Sequence, residues 1–263
     1  MVIFKSELRQ LRLYTICWSA CMAVLIFLML PMYVNMIASG AVDLSAMGSN
    51  SLFETLGTDI TILSTPIGMF GWLTSFFALA GGVNGMFLGL QAFTKETVGK
   101  SAEFLYTKPY RRGSVYGAKV AAGLVSAVIT GLFYLLGAAA SALLNLGGLA
   151  GRPFLLIALS LLLIEIFFVL CGAFLGTLYG KIRTPLLASA GIVFFFYILA
   201  AFADKVQAGG LKYFTPFAWF SMSGIAHKGG YSAGYTAALA LFCCVFYLAG
   251  RLAFIKKDIP FIS

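Results

Sequence analysis

One histidine, nine acids and five cysteines hold whatever acid–base, metal or thiol chemistry this 263-residue chain could perform. His227 lies in Ala226-His227-Lys228-Gly229-Gly230, and the nearest acid in sequence is Asp204. A zinc site or a histidine base needs further ligands or an orienting carboxylate, and no spacing supplies them. Gly99-Lys100-Ser101 has the ending of a phosphate-binding loop. The loop's first glycine would fall on Thr94, and the segment follows an apolar run instead of a strand, so that reading fails. Cys17, Cys21, Cys171, Cys243 and Cys244 all sit in apolar stretches without metal or disulfide spacing. The chain reads as a non-enzyme, with no metal or cofactor of its own.

Glu165 is the exception among the acids. It alone interrupts the apolar run from 153 to 180. An ionised carboxylate in the middle of a bilayer is costly unless paired or wetted, so Glu165 should face a bundle interior or a cavity. It reads as a polar patch on a substrate path, as a proton-coupling carboxylate, or as a hydrogen-bonded carboxyl that fixes helix packing. No Lys or Arg within the apolar runs stands out as its partner. Asn84 is expected to make an interhelical hydrogen bond, worth about 0.6 kcal/mol or somewhat more.

These groups need a membrane scaffold to position them. Hydrophobic residues make up 61% of the chain and charged residues 10%, with mean hydropathy +0.96, which excludes an ordinary soluble domain. The net charge of +9 suggests nucleic acid until the positions are read; it then resolves into charges between apolar runs. A helix needs about 20 apolar residues to cross the hydrocarbon core. Six spans follow, at about 13–37, 68–93, 120–144, 154–178, 185–203 and 234–254 of a single permease-like domain. The runs do not alternate, so the fold class is all-α. The first apolar run is too long for a signal peptide and lacks a small-residue cleavage site.

Basic residues set the orientation. Fourteen Lys and Arg fall on the face that carries the N-terminus, the second and fourth connections and the tail, against four on the other face. Both termini are therefore expected in the cytoplasm of a cell whose plasma membrane the chain crosses. On the opposite side, residues 204–233 carry Tyr213, Phe214, Phe217, Trp219 and Phe220, a composition suited to short outer-leaflet helices or an interfacial anchor.

Two glycine rows could bring helices close. Gly81, Gly85 and Gly89 repeat every four residues in the second span, and Gly172, Gly176 and Gly180 do so in the fourth. Each row marks one helix face where a neighbouring backbone can approach.

The densest polar stretch is Lys95–Arg112, between the second and third spans. Val98, Ala102 and Leu105 fall at i, i+4 and i+7, with Glu96, Lys100 and Glu103 on the remaining surface, as in a short amphipathic helix. Pro109 should end it near Thr107. Arg111, Arg112 and Lys119 then lead back into the membrane.

At these residues the chain resembles the ABC-2 type permeases, the membrane subunits of ATP-binding-cassette transporters. The resemblance rests on Lys95-Glu96, Lys100-Ser101-Ala102-Glu103-Phe104-Leu105, Lys108-Pro109, Arg112 and Lys119. Phe4-Lys5-Ser6-Glu7-Leu8, Leu211-Lys212-Tyr213-Phe214-Thr215-Pro216-Phe217 and Phe254-Ile255-Lys256-Lys257-Asp258-Ile259 are similar to the family's opening, its segment before the last span and its tail. Tyr106 and Tyr110 depart from the family's usual small aliphatic residues. The resemblance implies six helices per subunit and an N-terminal interfacial helix at about 1–11. It also implies a coupling helix within about 95–112 that docks on a cytosolic ATPase. Glu96, Glu103, Leu105, Pro109, Arg111 and Arg112 are the expected coupling residues. ATP and Mg would belong to the ATPase, and a second permease chain, identical or related, would complete the pair. Export of an amphipathic or hydrophobic substrate (a drug, an antimicrobial peptide or a lipid) is the expected activity. Two other readings stand beside it: an ion-coupled carrier centred on Glu165, and a membrane sensor that moves no cargo.

Overall fold

The computed structural model describes residues 2–39, 65–98, 111–146, 151–206, 209–220, 225 and 230–256, and among them there is no strand. The helices are α1 (Val2–Ala38), α2 (Pro66–Val98), α3 (Arg112–Asn145), α4 (Arg152–Leu178), α5 (Pro185–Lys205), the single turn α6 (Gly209–Lys212) and α7 (Ala233–Lys256). A 3-10 turn, Ala218–Phe220, lies between α6 and α7. All but α6 are long and apolar enough to cross a bilayer, which makes six spans among the described residues. The chain is a multi-pass membrane protein.

The interfacial helix expected at about 1–11 is not a separate element. Helix α1 runs without a break from Val2 to Ala38. No glycine interrupts that stretch, its one proline is Pro31, and Glu7 is buried against other helices, which holds the first turns in line with the span. Pro31 has no N–H to offer the carbonyl of Phe27 four residues back. Ser141 of α3 donates its hydroxyl to that carbonyl at 3.0 Å and so satisfies a group that lipid could not. Ser141→Ala is expected to lower stability by about 0.6 kcal/mol, an effect readable in the thermal unfolding midpoint in detergent.

Two helix pairs form the frame. α1 packs along α3, and α2 packs along α4. Each pair is drawn together by glycine. A Cβ added at Gly137 of α3 would meet the Ala23 carbonyl of α1 at 2.5 Å. One at Gly172 of α4 would meet the Met86 carbonyl of α2 at the same 2.5 Å, and one at Gly85 would strike the Glu165 carbonyl. These approaches leave room for backbone only, so van der Waals contact can hold helices that the hydrophobic effect does not drive together in lipid. Within the α1–α3 pair, Ser19 also meets Thr130 at 3.2 Å. Thr130 already donates to the Ser126 carbonyl at 3.1 Å, so Ser19 is the donor.

Helix α5 lies against α2, where Val193 is fully buried beside Gly82. Helix α7 covers part of α4 and α3. Short elements before α7 are present, as the sequence suggests, but the aromatic cluster divides. Tyr213 and Phe214 are exposed, whereas Trp219 and Phe220 are core residues. Trp219 donates its indole N–H to the Lys212 carbonyl at 2.9 Å and packs edge-on against Phe167 of α4.

Candidate functional site

Polar groups inside the bundle link α1, α2, α3 and α4. At the end that carries both termini, Glu7 of α1 stands between two lysines. Lys95 of α2 donates to Glu7 Oε2 at 2.5 Å and to Gln10 Oε1 at 2.8 Å. Lys119 of α3 donates to Glu7 Oε1 at 3.1 Å and to the Ala92 carbonyl of α2 at 2.8 Å. Its ammonium also lies 5.8 Å from the centroid of the Phe93 ring. The Lys119 side chain is fully enclosed and that of Glu7 is 7% exposed. A single carboxylate thereby ties three helices together. Buried charges survive only when paired and hydrogen-bonded, and each member of this trio has more than one partner.

Further along, α1 and α2 meet through uncharged side chains. Tyr14 of α1 donates its hydroxyl to Asn84 Oδ1 at 2.8 Å, and Asn84 Nδ2 donates to Glu165 Oε1 at 2.6 Å. One hydrogen-bonded string therefore runs from α1 through α2 to α4. The second carboxyl oxygen of Glu165 and the side-chain oxygen of Gln91 are buried without a hydrogen-bond partner among the described residues. Thr74 of α2 and Tyr134 of α3 meet at 2.8 Å. Thr74 gives its proton to the Phe70 carbonyl at 2.7 Å, which leaves Tyr134 as the donor.

The sequence-derived residues separate into three groups. Asn84 and Glu165 are brought into direct contact, and both are at most 1% exposed. Gly85, Gly89 and Gly172 lie at the α2–α4 crossing, with Gly81 and Gly176 beside it. Gly180 does not continue the row, because α4 ends at Leu178 and Gly180 falls in the following turn. Of the coupling residues, Arg111 is exposed at the N-cap of α3, and Arg112 donates to the Ile255 carbonyl of α7 at 3.2 Å. Glu96 belongs to the last turn of α2. Glu103, Leu105 and Pro109 lie outside the described residues.

Sequence reasoning overlooked the Glu7 trio, having counted Glu7 with an interfacial helix and both lysines with loop charge. A signal was present. Glu7, Gln10 and Tyr14 recur at i, i+3 and i+7, and Asn84, Gln91 and Lys95 at i, i+7 and i+11, so each set falls on one face of its helix. Two such faces on neighbouring spans are complementary.

Residues 1–259 match the model of a family described as ABC-2 family transporter protein. The chain belongs to that family. No curated protein and no solved structure matches it. As an ABC-2 permease the chain is a transmembrane subunit.

Proposed function

We propose that this ABC-2 permease is the membrane half of an exporter for amphipathic or hydrophobic molecules. In this reading two permease chains pair in the plasma membrane, both termini face the cytoplasm, and separate ATPase subunits bind ATP and Mg. The observation that carries the reading is the Glu7 trio. Lys95 stands at the beginning of the 95–112 segment, Lys119 lies two turns into the helix that follows it, and Glu7 grips both. A docked ATPase that displaced this segment would move α1, α2 and α3 together instead of flexing a loop. ATP would drive transport only by favouring one arrangement of the helices through differential contacts.

Glu96, Glu103, Arg111 and Arg112 form the proposed charged docking surface, with Leu105 and Pro109 shaping its apolar part. Glu103→Lys is expected to reduce co-purification of the ATPase, and the remaining complex should weaken as salt rises, since exposed charges are screened over about 8–10 Å at physiological ionic strength. Undiminished capture by the Glu103→Lys chain would remove that residue from the docking surface.

A further inference from the structure

We propose that the last helix takes part in ATPase docking: Arg251 near the end of α7 and Arg111 at the start of α3 form one basic surface that receives carboxylates of the ATPase subunit. The proposal rests on the exporter reading above and adds to it a contact from a second helix.

The end of α7 is fixed against both flanks of the 95–112 segment. Phe254 is buried between Phe93 of α2, at 5.6 Å between ring centroids, and Tyr116 of α3, at 5.8 Å. Phe93 comes two residues before Lys95, and Tyr116 stands one turn into the helix that follows the segment. A Cβ at Gly250 would strike the Tyr116 hydroxyl, so α7 can lie this close to α3 only with glycine there. Gly250 and Phe254, one turn apart, set the rotation of α7.

That rotation carries Arg251 and Ile255 onto the first turn of α3. A Cβ at Gly113 would stand 3.3 Å from both Nε and Nη2 of Arg251 and 3.5 Å from Cδ1 of Ile255. The guanidinium therefore lies over the bare face of Gly113, two residues from Arg111. Arg111 and Arg251 are both exposed, and neither side chain makes a hydrogen bond or ion pair among the described residues. The first turn of α3 holds no acid. Basic groups at this end of a helix oppose its dipole, so a carboxylate brought from outside improves the site.

The partner follows from residue type and place. A guanidinium offers a planar fork that matches a carboxylate with two parallel hydrogen bonds, whereas attraction to a lipid surface needs charge alone. Arg251 also adjoins Arg111 and Arg112, which are already assigned to the docking surface. A subunit that grips Arg251 holds α7 too. That helix packs along α4, and its Phe242 stacks on Trp219 at 6.0 Å.

The test uses the full-length tagged chain in its native membrane. With benzoylphenylalanine in place of Arg251, light is expected to join the chain to the ATPase that the parent captures. The same group in place of Leu248, which is 54% exposed farther into the span, should give no such adduct. Arg251→Gln is expected to retain about a third of the captured ATPase and Arg251→Glu about a tenth, both at the parent's thermal midpoint. Gly113→Leu keeps every charge but fills the place of the guanidinium, and capture should again fall to about a third. Because Arg251 is exposed, its variants decide the matter even where Gly113→Leu fails to fold. Undiminished capture by Arg251→Glu, a loss of capture that follows a lowered thermal midpoint, or adducts at position 251 with lipid alone overturns the proposal. In each of those results the parent still captures the ATPase; a parent that captured none would overturn the exporter reading itself.

Discussion

Replacing Glu7 with leucine is expected to destabilise the protein by about 3–5 kcal/mol, the cost of removing one member of a buried ion pair and stranding the other. Lys119 bears most of that loss, because its side chain is wholly enclosed and loses the carboxylate it is paired with. Lys95 is 24% exposed and can turn to water, so its share is small. The thermal midpoint of the detergent-solubilised chain should fall sharply. Adding Lys119→Met to Glu7→Leu removes the stranded charge, and the double variant is expected to recover a large part of the midpoint. A single variant as stable as the parent would show that the trio does not hold these helices together.

The second large effect is steric. A side chain at Gly89 would strike the carbonyl of Val169 and lie 2.6 Å from the amide nitrogen of Ala173 and 2.8 Å from the carbonyl carbon of Gly172. These are backbone atoms of α4, which cannot rotate away as a side-chain tip would. Gly89→Leu therefore has to separate α2 from α4, and in lipid no hydrophobic gain offsets the van der Waals packing given up between them. Overpacking of this kind costs about 1–3 kcal/mol or more, and the variant is expected to lose its monodisperse folded species on gel filtration. Gly191 of α5 is the control. Nothing lies within 4 Å of an added Cβ there, and alanine should raise helix stability by about 1 kcal/mol. A Gly89→Leu chain that eluted like the parent would mean that the two helices are not locked at this crossing.

The spans were legible because length and unbroken hydrophobicity suffice to mark them. The α2–α4 contact was legible in part: four-residue glycine spacing names a face, but only the end of α4 at Leu178 excludes Gly180. The bond between Asn84 and Glu165 joins residues 81 positions apart and depends on the rotational phase of two helices, which composition does not carry. Glu7 was harder still. A charge near a terminus normally belongs to water, and only the meeting of three helix ends turns this one inward. Trp219 shows the same limit from the apolar side. Its type suits a membrane interface, yet its indole N–H finds the Lys212 carbonyl and its ring joins the core.

The most direct measurement is capture of an ATP-hydrolysing subunit by the tagged chain in its native membrane, compared with a chain in which residues 99–110 are replaced by a Gly-Ser linker of equal length. The account predicts that the parent brings down the ATPase, and that the linker chain folds to the same thermal midpoint but brings down none. Equal capture by both chains, or transport by the purified chain alone under a proton gradient and lost in Glu165→Gln, would contradict it.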